Sequence, residues 1–175
     1  RLPRSTRGGG PAASAVYKSR VLTAIGADSR LKSGQAYASW YGGGFADKQA
    51  HADAVYSIPE LHRGDIKDAR IIANPGCYPT SVALALYPAI KHGLIELNGI
   101  IADCKSGVTG AGRGLSQKTH FPDAHESFSA YGVASHRHNP EIEQTMAGLA
   151  GEKAAVTFVP HLLPINRGIL STVYA

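Results

Sequence analysis

The chain has 175 residues, 43% of them hydrophobic, and a formal net charge of +5. That apolar content is enough for a packed core and excludes wholesale disorder, and no apolar run approaches the roughly 18 to 20 residues that cross a bilayer. Residues 1–32 hold seven Lys or Arg against one acid, while the rest of the chain holds 11 against 12, so the basic excess is an N-terminal feature, not a folded face, and no nucleic-acid partner is expected.

In chain order, residues 1–20 read as an irregular lead-in. They carry Gly8-Gly9-Gly10-Pro11, several arginines and few large apolar side chains. The triple glycine follows no strand and lacks Gly-x-Gly-x-x-Gly spacing, so it is not a dinucleotide turn. The chain opens on Arg1 where a complete product would open on Met, which suits a fragment or a processed chain. Val21 to Ile25 predicts a buried strand, Ala36 to Tyr41 a short helical or irregular stretch closed by Gly42, and Pro59-Glu60-Leu61 a turn of helix. Ala69 to Ala73 predicts a strand halted by Asn74-Pro75-Gly76. From Pro79 to His92 an apolar stripe of Val82, Ala83, Leu86, Tyr87 and Ile90 predicts a helix, stopped by Gly93 and kinked or shortened at Pro88. Ile100 to Cys104 is a further strand, leading into the glycine-rich Ser106 to Arg113. A helix then starts at Asn139-Pro140-Glu141, with Asn as cap and Ile142, Met146 and Leu149 as its buried stripe. Ala155 to Val159 and Ile169 to Tyr174 finish as strands.

Alternating strands and helices indicate an α/β to α+β fold. No secretory pattern is present, so the cytoplasm is the expected compartment. Two cysteines are too few for a disulfide scaffold. Cys77 stands between a strand and a helix, in Asn74-Pro75-Gly76-Cys77-Tyr78-Pro79-Thr80. A thiol at a helix N-terminus faces outward-pointing amides and the positive end of the macrodipole, which favours thiolate. Cys77 is therefore the expected nucleophile, and Cys104, inside an apolar strand, a structural residue.

A thiolate nucleophile needs a proton-transfer partner, for which His is suited. In Ser135-His136-Arg137-His138-Asn139-Pro140, two histidines precede a helix start; spacing does not choose between His136 and His138, and His161 in Pro160-His161-Leu162 remains a rival. The backbone amides of Ser106 to Arg113 are candidates to cradle a phosphate or carboxylate, with Arg113 adding a bidentate contact, although a plain glycine turn reads equally well.

Four segments occur in order: the cysteine segment 74–80, the loop 106–113, His136-Arg137-His138-Asn139-Pro140-Glu141-Ile142-Glu143, and Pro160-His161-Leu162 through Asn166-Arg167-Gly168-Ile169. Together they resemble the N-acetyl-gamma-glutamyl-phosphate reductases of arginine biosynthesis. Ala27-Asp28-Ser29-Arg30-Leu31, Trp40-Tyr41-Gly42 and Ile58-Pro59-Glu60-Leu61 extend the likeness over roughly residues 26 to 175.

The resemblance implies a partial Rossmann-type nucleotide domain over 21–76 and a mixed-sheet catalytic and dimerisation domain over 77–175. It implies Cys77 as nucleophile and His138 as acid/base, with Arg30, Arg113 and His136 on the substrate and Ser106 and Gly107 near the nicotinamide. The implied chemistry is thiolate attack on an acyl phosphate, then NADPH reduction of the thioester to a semialdehyde. The implied partners are that small-molecule substrate and further copies of the chain. The chain departs from the family by having no glycine-rich dinucleotide turn, by ending where relatives continue, and by carrying Ser29 where an aromatic is usual. Three other readings compete: a nucleotide-independent cysteine hydrolase or acyltransferase, a zinc module built on Cys77, His136, His138 and His161, and a non-catalytic dimerising relic.

Overall fold

The computed structural model describes the backbone of residues 15–18 and all of residues 21–175. Residues 1–14, 19 and 20, which make up most of the expected irregular lead-in, lie outside the described residues. Ala15–Lys18 is not irregular: it forms strand β1, paired antiparallel with β2 (Val21–Ala24). Four residues are too few for a period-2 pattern to declare itself, and the pairing supplies what local sequence does not.

Two compact units divide between Pro75 and Gly76. The first contains β1, β2, α1 (Gly34–Tyr41), α2 (Lys48–Asp53), β3 (Ala54–Tyr56), α3 (Pro59–Ile66) and β4 (Ile71–Ala73). Its strands are ordered β1-β2-β4-β3, and β4 runs parallel to both β2 and β3. Short parallel strands joined through helices are the pattern of a doubly wound sheet. Ser33 caps α1 by accepting from Ala36 N–H, and Asp47 caps α2 by accepting from Gln49 and Ala50. α2 and β3 carry no strong sequence signal, being six and three residues long.

The second unit holds α4 (Cys77–Lys91), β5 (Ile100–Ser106), α5 (Phe121–Ala124), β6 (Ser129–Ala130), α6 (Asn139–Ala150), β7 (Val156–Leu162) and β8 (Ile169–Tyr174). Its mixed sheet is ordered β6-β7-β5-β8, with β5 parallel to β7 and antiparallel to β8. Ile100, Ala102 and Cys104 of β5 alternate inward and meet Val156 and Phe158 of β7. The covering layer is Tyr78, Val82, Ala83, Leu86 and Ile90 of α4 with Ile142 and Met146 of α6. Each fully buried Val, Ile or Met among them contributes about 1.5–3 kcal/mol. Leu149, expected in this stripe, is only half-buried.

Both helices that matter most begin earlier than proline placement predicts. α4 starts at Cys77, with Gly76 as its extended cap (φ −67°, ψ 157°), so Pro79 is its third residue. An N–H is dispensable there as well as at the first position. α4 also runs on through Pro88 to Lys91; the missing N–H deprives the carbonyl of Leu84, an exposed residue whose carbonyl water can serve. α6 starts at Asn139, which makes His138 its cap in place of the expected Asn.

Candidate active site

Strand β4 delivers the chain into Asn74-Pro75-Gly76, and the first turn of α4 follows at once. Thr80 N–H and its hydroxyl both donate to Gly76 O (3.1 and 2.9 Å), closing that turn. Cys77 is thereby the first helical residue and is exposed. Neither cysteine is in a disulfide, and Cys104 is 0% exposed, with burial pushing its thiol up. One thiol is therefore presented at a helix N-terminus and the other is sealed in a strand, as expected from their settings.

His138 lies against the residue next to the thiol. A Cβ built on Gly76 would sit 2.5 Å from His138 Nε2, so only glycine allows the imidazole to approach this backbone. His138 Nδ1 is buried, leaving Nε2 as the nitrogen turned towards Gly76. His136 packs beside it, ring centroids 4.8 Å apart. His138 N–H donates to His136 Nδ1 (3.0 Å), which makes that nitrogen an acceptor and puts any ring proton on Nε2. Burial, assisted by the Arg137 charge, pulls the His136 pKa down to about 4, so His136 is neutral near pH 7. A neutral, acceptor-locked His136 is suited to fixing the loop and poorly suited to moving protons.

Tyr78 roofs the pair. Its ring centroid is 5.7 Å from that of His136 and 5.8 Å from that of His138. Its hydroxyl shares hydrogen bonds with Tyr131 (3.0 Å) and with Ser106, and burial pushes the phenol above its usual range, so it remains protonated. Glu141, on the first turn of α6, is 0% exposed and accepts from Gly76 N–H at 2.7 Å. Sequence reasoning treated Tyr78 as part of a motif and Glu141 as a helix-start acid. The i+3 spacing of Glu141 from His138 was the one available sign that both reach the same place.

The other expected residues fall elsewhere. Arg30, in the first unit, donates through Nε to Asn74 O (2.8 Å) and through its terminal nitrogen to Ile25 O (2.6 Å), bracing the strand end that leads to Cys77. Arg113 is exposed, and nothing among the described residues holds it. The amides of the glycine-rich loop are already used. Gly107, Val108 and Thr109 donate to the carbonyls of Gly168, Ile165 and Asn166 at 3.0, 2.8 and 3.1 Å. A Cβ on Gly107 would meet the Arg167 and Asn166 backbone at 2.7 Å. The glycine serves close packing of two chain segments, and these three amides form no anion cradle. His161 stands with its Nδ1 3.2 Å from Asp103 Oδ1, beneath Phe128, while Lys105 takes the other Asp103 oxygen. Among the described residues no three His, Cys, Asp or Glu side chains are grouped to hold a metal ion, which leaves the zinc module without its ligand set.

An exposed thiol at a helix N-terminus, an imidazole against its neighbour and a hydrogen-bonding shell make a site for nucleophilic attack on a carbonyl or phosphoryl-activated carbon. The family described as "Semialdehyde dehydrogenase, dimerisation domain" matches residues 77–175. Curated relatives called N-acetyl-gamma-glutamyl-phosphate reductase are 52% identical in Clostridium beijerinckii and 54% in Clostridium kluyveri, each over 160 residues and 91% of this chain. One from Pelotomaculum thermopropionicum is 54% identical over 92%. The chain spans 46% of the length of each. A crystal structure of aspartate semialdehyde dehydrogenase II from Vibrio cholerae shares the fold, with TM-score 0.52 and 15% identity over 70% of this chain and 44% of that one.

Proposed function

The chain belongs to the semialdehyde dehydrogenase dimerisation-domain family, and on that footing we propose that it is the acyl-transferring core of an N-acetyl-gamma-glutamyl-phosphate reductase, which converts N-acetyl-glutamyl 5-phosphate to the 5-semialdehyde with NADPH. The observation that carries this reading is the set of Cys77, Gly76 and His138: an exposed thiol opening α4, with Nε2 of an imidazole pressed against the preceding α-carbon.

In this proposal Cys77 Sγ attacks the carbonyl carbon while His138 Nε2 takes the thiol proton. The carbon–oxygen bond to phosphate breaks, inorganic phosphate leaves, and a thioester remains on Cys77. The helix N-terminus faces the oxygen that becomes negative during attack. His136 holds the His138 backbone, and Tyr78 with Tyr131 and Ser106 bounds the site. Arg113, exposed and unheld, supplies charge for the substrate's phosphate or carboxylate. Arg30 acts through Asn74.

NADPH supplies hydride for reduction of that thioester when bound. The Gly107 α-carbon is filled by backbone, and the turn after β2, Ile25-Gly26-Ala27-Asp28-Ser29-Arg30, has none of the glycine spacing that seats a pyrophosphate. NADPH rests on the family resemblance alone. The family's description supports self-association, and no helix among the described residues is long and apolar enough to cross a membrane. A cytoplasmic, homo-oligomeric enzyme is the form we propose.

The test is peptide mass spectrometry of the folded chain after exposure to acetyl phosphate or N-acetyl-glutamyl phosphate. A hydroxylamine-labile acyl group on Cys77 is expected, absent in C77S and formed about 10²- to 10⁴-fold more slowly in H138N. No adduct in a demonstrably folded sample would remove the reductase reading. An adduct that turns over to free acid as fast as it forms would favour the hydrolase.

A further inference from the structure

The connection from β7 to β8 has to cross the end of β5, because β5 lies between those two strands in the sheet. It does so over Gly107. Leu163 N–H donates to Ser106 O at 2.9 Å, and the amides of Gly107, Val108 and Thr109 donate to Gly168, Ile165 and Asn166. The Thr109 hydroxyl adds a second bond to Asn166 O (2.5 Å). A Cβ on Gly107 would stand 2.7 Å from Arg167 N, so the crossing lies directly on the strand end. Arg167 is thereby rooted just beyond Ser106, whose hydroxyl bonds that of Tyr78, the residue after the nucleophile.

This stitching fixes two loops at the carboxyl end of β5, and each presents one arginine. Arg113 closes the glycine-rich loop, Arg167 lies in the crossing, and both are exposed. Among the described residues neither guanidinium has a hydrogen-bond or ion-pair partner. The chain around them supplies no carboxylate either: from Cys104 to Pro122 and from Lys153 to Ala175 there is no Asp or Glu. A guanidinium fork matches a carboxylate or phosphate in shape as well as charge, and two such forks here are left for an anion from outside.

The substrate asks for two cations. N-acetyl-glutamyl 5-phosphate carries a phosphate at the carbon that reacts and a carboxylate at the other end of a short carbon chain. One fork holds one of these groups in bidentate fashion. With Arg113 on one anion, a second cation is needed for the other, and Arg167 stands on the loop bonded to that of Arg113. We propose that Arg167 is a substrate-binding residue, its guanidinium pairing with an anionic group of the acyl donor, carboxylate or phosphate. The role rests on the reading of that donor as a two-anion acyl phosphate.

The experiment measures the second-order rate constant for acylation of Cys77 in the parent chain, R167Q and R167K. Three donors are compared: N-acetyl-glutamyl phosphate with two anionic groups, acetyl phosphate with one, and p-nitrophenyl acetate with none. In R167Q the constant should fall about tenfold or more for N-acetyl-glutamyl phosphate and less than about twofold for p-nitrophenyl acetate. R167K, which keeps the charge and loses the fork, should fall between parent and R167Q. Acetyl phosphate tells which group is held: a matching fall assigns phosphate, no fall assigns carboxylate, and either supports the role. An unchanged constant for N-acetyl-glutamyl phosphate would overturn it. So would an equal fall with all three donors, the mark of a site disturbed through its packing. A parent whose Cys77 takes an acyl group from none of the donors would remove the reductase reading instead. Anion binding is then read from the arginine Nε–H resonances of the parent, titrated with N-acetyl-glutamate and with inorganic phosphate. A saturable shift of the Arg167 resonance upholds its anion-binding role, and no shift overturns it.

Discussion

Gly76 has room for a hydrogen on its α-carbon and for nothing larger. Its φ of −67° is open to any residue, so the constraint is the 2.5 Å separation of a would-be Cβ from His138 Nε2. Gly76→Ala should leave α4 in place and push the imidazole aside. We expect acylation of Cys77 by acetyl phosphate to fall about 10²-fold, with little change in thermal midpoint. A parental acylation rate in that variant would show that the contact has no bearing on reactivity. His136 makes a different prediction. Unfolded, it takes up a proton below about pH 6.5, but folded it does so only near about 4. Between those values the unfolded state binds more protons, so the stability this residue contributes is present above about pH 6.5 and is lost as pH falls towards about 4. Urea midpoints should therefore drop less steeply over that window in H136N than in the parent. Parallel curves, or an imidazole resonance titrating near its ordinary value, would refute the burial that we describe.

At the scale of elements, what the sequence made legible was the order of strands and helices in the second unit and the contrast between its two cysteines. A thiol after Gly76 and before an apolar 3.6-residue stripe had to open a helix, and one within Ile100 to Cys104 had to be buried. The illegible parts share a cause: they depend on pairs distant in the chain. Glu141 finds Gly76 across 65 residues, and the glycine-rich loop finds residues 165–168, so its amides, which looked available for an anion, are spent on backbone. Helix starts slipped by one or two residues because proline is tolerated throughout the first turn, so it marks the turn without numbering it. The same loop gives a stability test. Gly107→Ala puts a methyl 2.7 Å from the 166–167 backbone, which cannot swing away as a side chain would. A loss of about 1–3 kcal/mol in urea unfolding is expected, and a neutral result would mean that the two segments part easily.

For the molecule as a whole, the side chains assigned to acyl transfer at Cys77 belong to the second unit, from Cys77 and Tyr78 to His138, and only Arg30, acting through Asn74, comes from the first. That unit also carries exposed apolar side chains on its sheet. Leu170 (65% exposed) and Tyr174 (57%) are the exposed positions of β8, Ile101 (42%), paired with Tyr174, lies between buried Ile100 and Ala102 on β5, and the family's description is that of a dimerisation domain. Leu170→Asp should shift the chain towards monomer in sedimentation equilibrium while leaving Cys77 acylation unchanged. A parent that is monomeric at every concentration would remove this assignment.

The seclusion of Cys104 bears on how the protein withstands oxidants. A sulfenic acid formed on Cys77 by peroxide is rescued in many proteins by a neighbouring thiol, which condenses with it and stores the damage as a reversible bond. Within these 175 residues the second cysteine is 0% exposed in β5, so the described residues offer Cys77 no resolving thiol at their surface. The sulfenate must then be capped from outside or go on to sulfinate, which is irreversible for most proteins. Peroxide alone should yield sulfinate on Cys77 and permanent loss of acylation. Peroxide with glutathione should yield a mixed disulfide that dithiothreitol reverses. A Cys77–Cys104 disulfide in the peptide map after peroxide alone would mean that the core opens far enough for Cys104 to act, so that bond would report the breathing of the sheet.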